Sequence, residues 1–199
     1  MIKIKICGIK ERENAAQVAS LKVDFMGLIF APSPRQVSVN LAKNLSEIIQ
    51  KNGKKAIGVF VDESDEFILN SAQNANLNGV QIQKNISQNL FKRLKSLNLS
   101  VWQVVSVGEI LQMPAQINAD LVLFDTKGAL KGGNGVAFEW NLLKNYDKEF
   151  ALAGGFGVDN VAQAVKFKPC ILDINSRVEN SSGLKDIDLI QELLTKIGR

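Results

Sequence analysis

Eight short apolar runs, separated for the most part by segments of helical period, predict a (β/α)8 barrel of the TIM type. The same alternation would also fit an open doubly wound sheet, and one further observation favours closure. The residues of unusual chemistry, Cys7-Gly8, Pro32-Ser33-Pro34-Arg35, Asp125, Gly154-Gly155 and Ser176, all follow the C-terminal ends of the expected strands, which in a barrel form one rim where catalytic groups gather. No linker or low-complexity tract divides the 199 residues, so 1–199 are read as a single barrel domain near the lower end of the usual size.

The strands are read in order as Ile2 to Cys7, Phe25 to Phe30, Ala56 to Val61, Gly79 to Ile82, Ser100 to Val105, Leu121 to Asp125, Phe150 to Ala153 and Ile171 to Asn175. Each is rich in β-branched, aromatic or aliphatic residues, and each is too short for a core helix. Helical spacing predicts helices near Glu13 to Ser20, Leu41 to Gln50, Asp65 to Ala75, Ile86 to Leu97, Trp140 to Asn145, Val158 to Val165 and Ile187 to Ile197. Between the fifth and sixth strands only Gly108 to Met113 is available before Pro114, so a shortened or irregular fifth crossover is expected. The segment from Thr126 to Ala137 is glycine-rich and long enough to act as a mobile lid.

Composition narrows the chemistry. Hydrophobic residues at 46% and charged residues at 22% exclude a disordered chain, and no apolar run is long enough to cross a bilayer. The N-terminus, Met-Ile-Lys-Ile-Lys-Ile-Cys, alternates in polarity and lacks the unbroken apolar core of a secretory signal, so a cytoplasmic location is expected. Cys7 and Cys170 are too far apart in sequence for a metal pair and are read as free thiols. Histidine is absent, which removes every imidazole mechanism and every His-ligated zinc. The net charge of +4 suits a polyanion, yet the lysines are scattered with no dense basic run, and a small anionic molecule fits equally well; a small-molecule partner is expected, with no nucleic acid and no membrane. A monomer is expected, with a homodimer as the alternative.

Six stretches carry a resemblance to a known family: Lys5-Ile-Cys-Gly-Ile9, Phe30-Ala-Pro-Ser-Pro-Arg35, Gly58-Val-Phe60, Gly132-Gly-Asn-Gly135, Leu152-Ala-Gly-Gly155, and Asp173 through Glu179 with Gly183 and Lys185-Asp186. In order and spacing the chain resembles the phosphoribosylanthranilate isomerase family over nearly its whole length. The resemblance implies a cofactor-free and metal-free enzyme of tryptophan biosynthesis, an intramolecular isomerase of the aldose-ketose type. Its reaction is the Amadori rearrangement of N-(5-phosphoribosyl)anthranilate to 1-(2-carboxyphenylamino)-1-deoxyribulose 5-phosphate by general acid-base catalysis.

Carried over residue by residue, the resemblance implies Cys7 as the base and Asp125 as the acid. Arg35 would hold the anthranilate carboxylate, Asp173 would contact the anthranilate amino group, and Gly154, Gly155 and Ser176 would hold phosphate. Strand periodicity puts Lys5 on the same face as Cys7, one step below, where an ammonium is expected to lower the thiol pKa. Three departures stand out. The usual Gln-Leu-His-Gly of the fourth strand is replaced by Gln81-Ile82-Gln83-Lys84, so no imidazole contributes there. The lid reads Gly133-Asn-Gly-Val-Ala-Phe138. In the last segment Arg177 occupies the place of a glycine beside Ser176, and its guanidinium is expected to grip phosphate rather than face solvent.

The nearest rival is the histidine-pathway isomerase, which performs the same rearrangement with a carboxylate at the end of its first strand; Cys7 at that position argues against it. A catalytically silent barrel that binds sugar phosphates or nucleic acid is disfavoured by Cys7, Arg35, Asp125 and Asp173 occurring together.

Overall fold

Eight parallel strands close on one another in sequence order, with the first pairing to both the second and the eighth, in the computed structural model, which describes residues 1–108, 111–126, 143 and 146–199. The strands are β1 (Lys3–Cys7), β2 (Phe25–Ile29), β3 (Lys55–Phe60), β4 (Gly79–Ile82), β5 (Ser100–Val107), β6 (Leu121–Thr126), β7 (Phe150–Ala153) and β8 (Ile171–Ile174). The helices are α1 (Arg12–Ala19), α2 (Val39–Lys51), α3 (Asp65–Asn74), α4 (Gln88–Ser96), α5 (Val161–Val165) and α6 (Ile187–Lys196), with a 3-10 turn at Ser176–Val178. Among the described residues no helix joins β5 to β6, as the position of Pro114 predicts, and Leu111 instead bridges back to Val107. The expected lid beyond Thr126 and the expected helix Trp140 to Asn145, apart from Leu143, lie outside the described residues.

The two faces of each strand meet different surroundings because side chains alternate. Outward residues such as Ile4, Ile6, Met26, Leu28, Val80 and Ile174 pack with the buried faces of the helices in one large core. Inward residues Phe25, Ile57, Trp102, Val104, Leu123, Ala151 and Ile171 fill the lower barrel as a second, smaller core. Phe25 and Trp102 meet edge to face with centroids 5.1 Å apart, and the Trp102 indole donates to Ser100 Oγ at 2.8 Å, which satisfies its polar end.

Helix starts follow from serine and acidic caps. Ser38, Ser64 and Ser87 accept from the backbone amides of Leu41, Phe67 and Leu90, and Glu11 and Asp186 do the same for α1 and α6. At the lower rim Asp24, Asn78 and Asp120 each accept, through a side-chain oxygen, the first orphan amide of the preceding strand, at Ile4, Ala56 and Val101. No helix among the described residues is long and apolar enough to cross a membrane.

Candidate active site

The C-terminal ends of the strands surround a cavity of about 340 Å3 lined by Cys7, Arg35, Gln81, Asp125, Asp173 and Ser176 among others. Gly154 and Gly155 complete its wall. Cys7, Gln81, Asp125 and Asp173 reach it because each is the last inward residue, or nearly so, of its strand. A larger depression of about 1070 Å3 opens at the opposite end, against Lys3, Trp102 and Cys170. It holds none of the strand-end groups, so size does not choose the site; Cys170 lies there, half-buried, away from Cys7.

Lys5 and Asp173 face one another across the β1/β8 pairing, where they are partners in register. Lys5 Nζ donates to both carboxylate oxygens of Asp173, at 2.8 and 2.9 Å, with the lysine fully buried and the aspartate nearly so. Burial draws the Lys5 ammonium down, but Asp173 and Cys7 outweigh it and leave its pKa above the ordinary 10.5.

The expectation that Lys5 lowers the Cys7 pKa needs correction in its net sign. Burial pushes the Cys7 thiol up, Lys5 pulls it down, and Asp173 pushes it up again, leaving it above its ordinary value of 9.0. Lys5 therefore moderates the rise without reversing it, because burial outweighs its pull and the Asp173 carboxylate adds to the rise. Space for the thiol comes from Gly27, in register with Cys7 on β2: a Cβ there would lie 2.7 Å from Cys7 Sγ and 3.1 Å from Lys5 Nζ. A glycine inside a strand is the signal that points to such a close approach, and sequence reasoning passed over it.

Arg35 is held by a residue to which the sequence reading gave no role. Its Nε and Nη2 donate to Glu179 Oε1 and Oε2 at 2.7 and 2.6 Å, a bidentate pair. Glu179 Oε1 also accepts from Lys185 Nζ at 2.7 Å. Although burial raises the Glu179 carboxyl, Arg35 and Lys185 together bring it down to about 2. Burial holds the Lys185 ammonium below its usual value despite Glu179. Gly8, with φ of +84°, lets the chain turn out of β1 beneath this group, since a Cβ there would meet Arg35 Cδ at 2.7 Å.

Gly154 and Gly155 both have positive φ, 132° and 65°, which frees the backbone after β7 to approach a ligand closely. Ser176 opens the 3-10 turn that follows β8. Arg177 is not among the residues lining the cavity: its Nη2 donates to Asp159 at 2.9 Å in a partly exposed ion pair beside Gly157. Gln83 lines the wall at the fourth strand, and Lys84 turns away to Glu63 O and Asp65.

A family model described as N-(5'-phosphoribosyl)anthranilate (PRA) isomerase matches residues 4–196. The N-(5'-phosphoribosyl)anthranilate isomerase of Campylobacter jejuni is 52% identical over 197 residues, covering 99% of each chain. Among solved structures, phosphoribosyl anthranilate isomerase from Thermotoga maritima superposes with a TM-score of 0.80 at 30% identity over 98% of both chains. A phosphoribosyl anthranilate isomerase in complex with reduced 1-(o-carboxyphenylamino)-1-deoxyribulose 5-phosphate does so at 0.78 and 28% identity over 100% of both. Full-length agreement in sequence and in fold makes this chain a member of the N-(5'-phosphoribosyl)anthranilate isomerase family, an enzyme of tryptophan biosynthesis.

Proposed function

We propose that the family's Amadori rearrangement runs in the strand-end cavity with Cys7 as general base and Asp125 as general acid. The observation that carries this reading is that one cavity joins a thiol from β1 and a carboxylate from β6, three strands away around the ring, so the two groups flank whatever fills it. Asp125 protonates the furanose ring oxygen as the C1–O bond breaks and the anthranilate nitrogen lone pair forms the protonated Schiff base. Cys7, as thiolate, then removes the proton from C2, and the resulting enol-amine tautomerises to the ketose. No oxidant and no cofactor enters that balance.

Arg35 is read as the partner of the anthranilate carboxylate, and Asp173, fixed by Lys5, as the acceptor for the anthranilate amino group. Backbone amides around Gly154, Gly155 and Ser176 suit the phosphate. The exposed Arg177–Asp159 pair contributes only about 0–1 kcal/mol, so exchange of Asp159 for phosphate is open to that guanidinium on substrate binding. Residues 1–199 form the single catalytic domain in this reading, a cytoplasmic monomer, with a homodimer as the alternative that sedimentation velocity distinguishes.

Loss of phosphoribosylanthranilate fluorescence is the assay. Cys7→Ala and Asp125→Asn are each expected to lower kcat by about a hundredfold or more while affinity for the reduced product analogue persists; Cys170→Ala is expected to be silent. A drop under about tenfold for Cys7→Ala would remove it from the base position.

A further inference from the structure

We infer that Glu179 and Lys185 are positioning residues for substrate carboxylate recognition: together they fix the guanidinium of Arg35 so that one edge alone is presented to the ligand. The inference rests on the reading of Arg35 as the carboxylate partner and adds the device that orients it.

A guanidinium has two edges capable of a forked bond, Nε with Nη2 and Nη1 with Nη2. Glu179 occupies the first, through Nε and one hydrogen of Nη2. The second edge is untouched by Glu179, and it belongs to a side chain that lines the cavity. A ligand carboxylate therefore meets a fork whose plane is already set, and the ordering entropy of a long side chain is not lost again on binding.

Glu179 is itself held by a fully buried cation. Lys185 Nζ has three hydrogens and three acceptors: Asn175 O and Asn175 Oδ1, both at 3.0 Å, and Glu179 Oε1 at 2.7 Å. The backbone of Lys185 is fixed in turn to α1, with its amide donating to Asn14 Oδ1 at 2.9 Å and its carbonyl accepting from Asn14 Nδ2 at 2.8 Å. Arg35 thus ends a chain of bonds that starts at a helix, which is what a rigid binding group requires. Charge also balances: Lys185 and Glu179 cancel, so the trio retains the single positive charge of Arg35 for one carboxylate.

That cancellation supplies a clean test. Glu179→Gln alone strands the Lys185 ammonium in the interior and is liable to unfold. The double variant Glu179→Gln/Lys185→Met removes one charge of each sign, leaves the net charge of the trio unchanged, and strands no charge, although Asn175 O and Oδ1 lose their lysine donor. An amide cannot accept from both Nε and Nη2 of Arg35 without pointing its own N–H at one of them, so the fork loses its fixed plane. The readout is the ratio of dissociation constants for two probes, reduced 1-(o-carboxyphenylamino)-1-deoxyribulose 5-phosphate and the same compound without the ring carboxylate. The double variant is expected to lose about tenfold of this carboxylate preference, with the carboxylate-free probe binding as before. Arg35→Ala is the reference and should erase the preference. If Arg35→Ala leaves the ratio untouched, the reading of Arg35 fails and the inference with it. If Arg35→Ala erases the ratio while the double variant keeps or increases it, Arg35 recognises the carboxylate unaided and the positioning role is overturned.

Discussion

Replacing Lys5 by methionine separates two tasks that the buried ammonium performs. It neutralises Asp173, at 2.8 and 2.9 Å inside the barrel, and it opposes the burial that pushes the Cys7 thiol upward. Methionine matches the length of the aliphatic stem but leaves the Asp173 carboxylate buried without a counter-ion. Breaking one side of such a pair costs about 3–5 kcal/mol, a large share of the stability of an ordinary domain. On the catalytic side the Cys7 pKa rises further, and each unit removes about tenfold of the thiolate at any pH below it. Urea denaturation measures the first effect. The second is read from kcat between about pH 7 and 10, where the rate should climb later than in the parent enzyme. The double variant Lys5→Met/Asp173→Asn strands no charge, so stability should return while the delayed alkaline rise persists. Recovery of the parent pH profile in the double variant would show that Lys5 serves only as the counter-ion of Asp173.

Gly27→Ala inserts a Cβ 2.7 Å from Cys7 Sγ, and the displaced thiol is expected to lower kcat by about a hundredfold, visible in steady-state kinetics with circular dichroism as the control for folding. Gln81 is 5% exposed and its Oε1 has no hydrogen-bond partner among the described residues; Gln81→Met should therefore stabilise the free enzyme by about 1 kcal/mol, a rise of about 2–4 °C in melting temperature, while weakening product-analogue binding. Glu179 has a folded pKa of about 2 against an ordinary 4.5, so its contribution is present above 4.5 and lost as pH falls toward 2. The shift corresponds to at most about 3 kcal/mol, less what solvent screening removes, and the acid limb of an unfolding curve should flatten in Glu179→Gln/Lys185→Met.

Strand positions were legible because each inward and outward alternation leaves its mark within four to eight residues. Ends moved where a cap intervened. The second helix begins at Val39, two residues before the expected Leu41, because Ser38 caps it; the fourth begins at Gln88 rather than Ile86 because Ser87 caps it. The expected Val158 to Val165 helix is shortened to Val161–Val165 without a side-chain cap, and Asn160 Oδ1 instead accepts from the amide of Gly157 in the loop before it. Cys7, Asp125 and Asp173 could be placed in one cavity from their positions at strand ends alone. The bond from Arg35 to Glu179 could not, since it joins residues 144 positions apart through two loops whose course no local pattern dictates. The sign of the Cys7 shift was equally hidden, because it depends on how completely the thiol is buried and on a third residue, Asp173, which adds to the rise that Lys5 opposes.

The pairing of β1 with β8 has a consequence for when the enzyme becomes competent. Lys5 and Asp173 are 168 positions apart, Asn14 and Lys185 171, and the bond of Arg199 to the Ile2 carbonyl spans 197. Contacts so distant along the chain form only after the entropy of closing a very long loop has been met, which puts them late among folding events. A nascent chain that has emerged as far as its seventh strand already holds Cys7 and Asp125, yet it lacks Asp173, Ser176 and Glu179. Turnover is thus a reporter of ring closure, and an almost finished barrel is expected to be silent rather than slow.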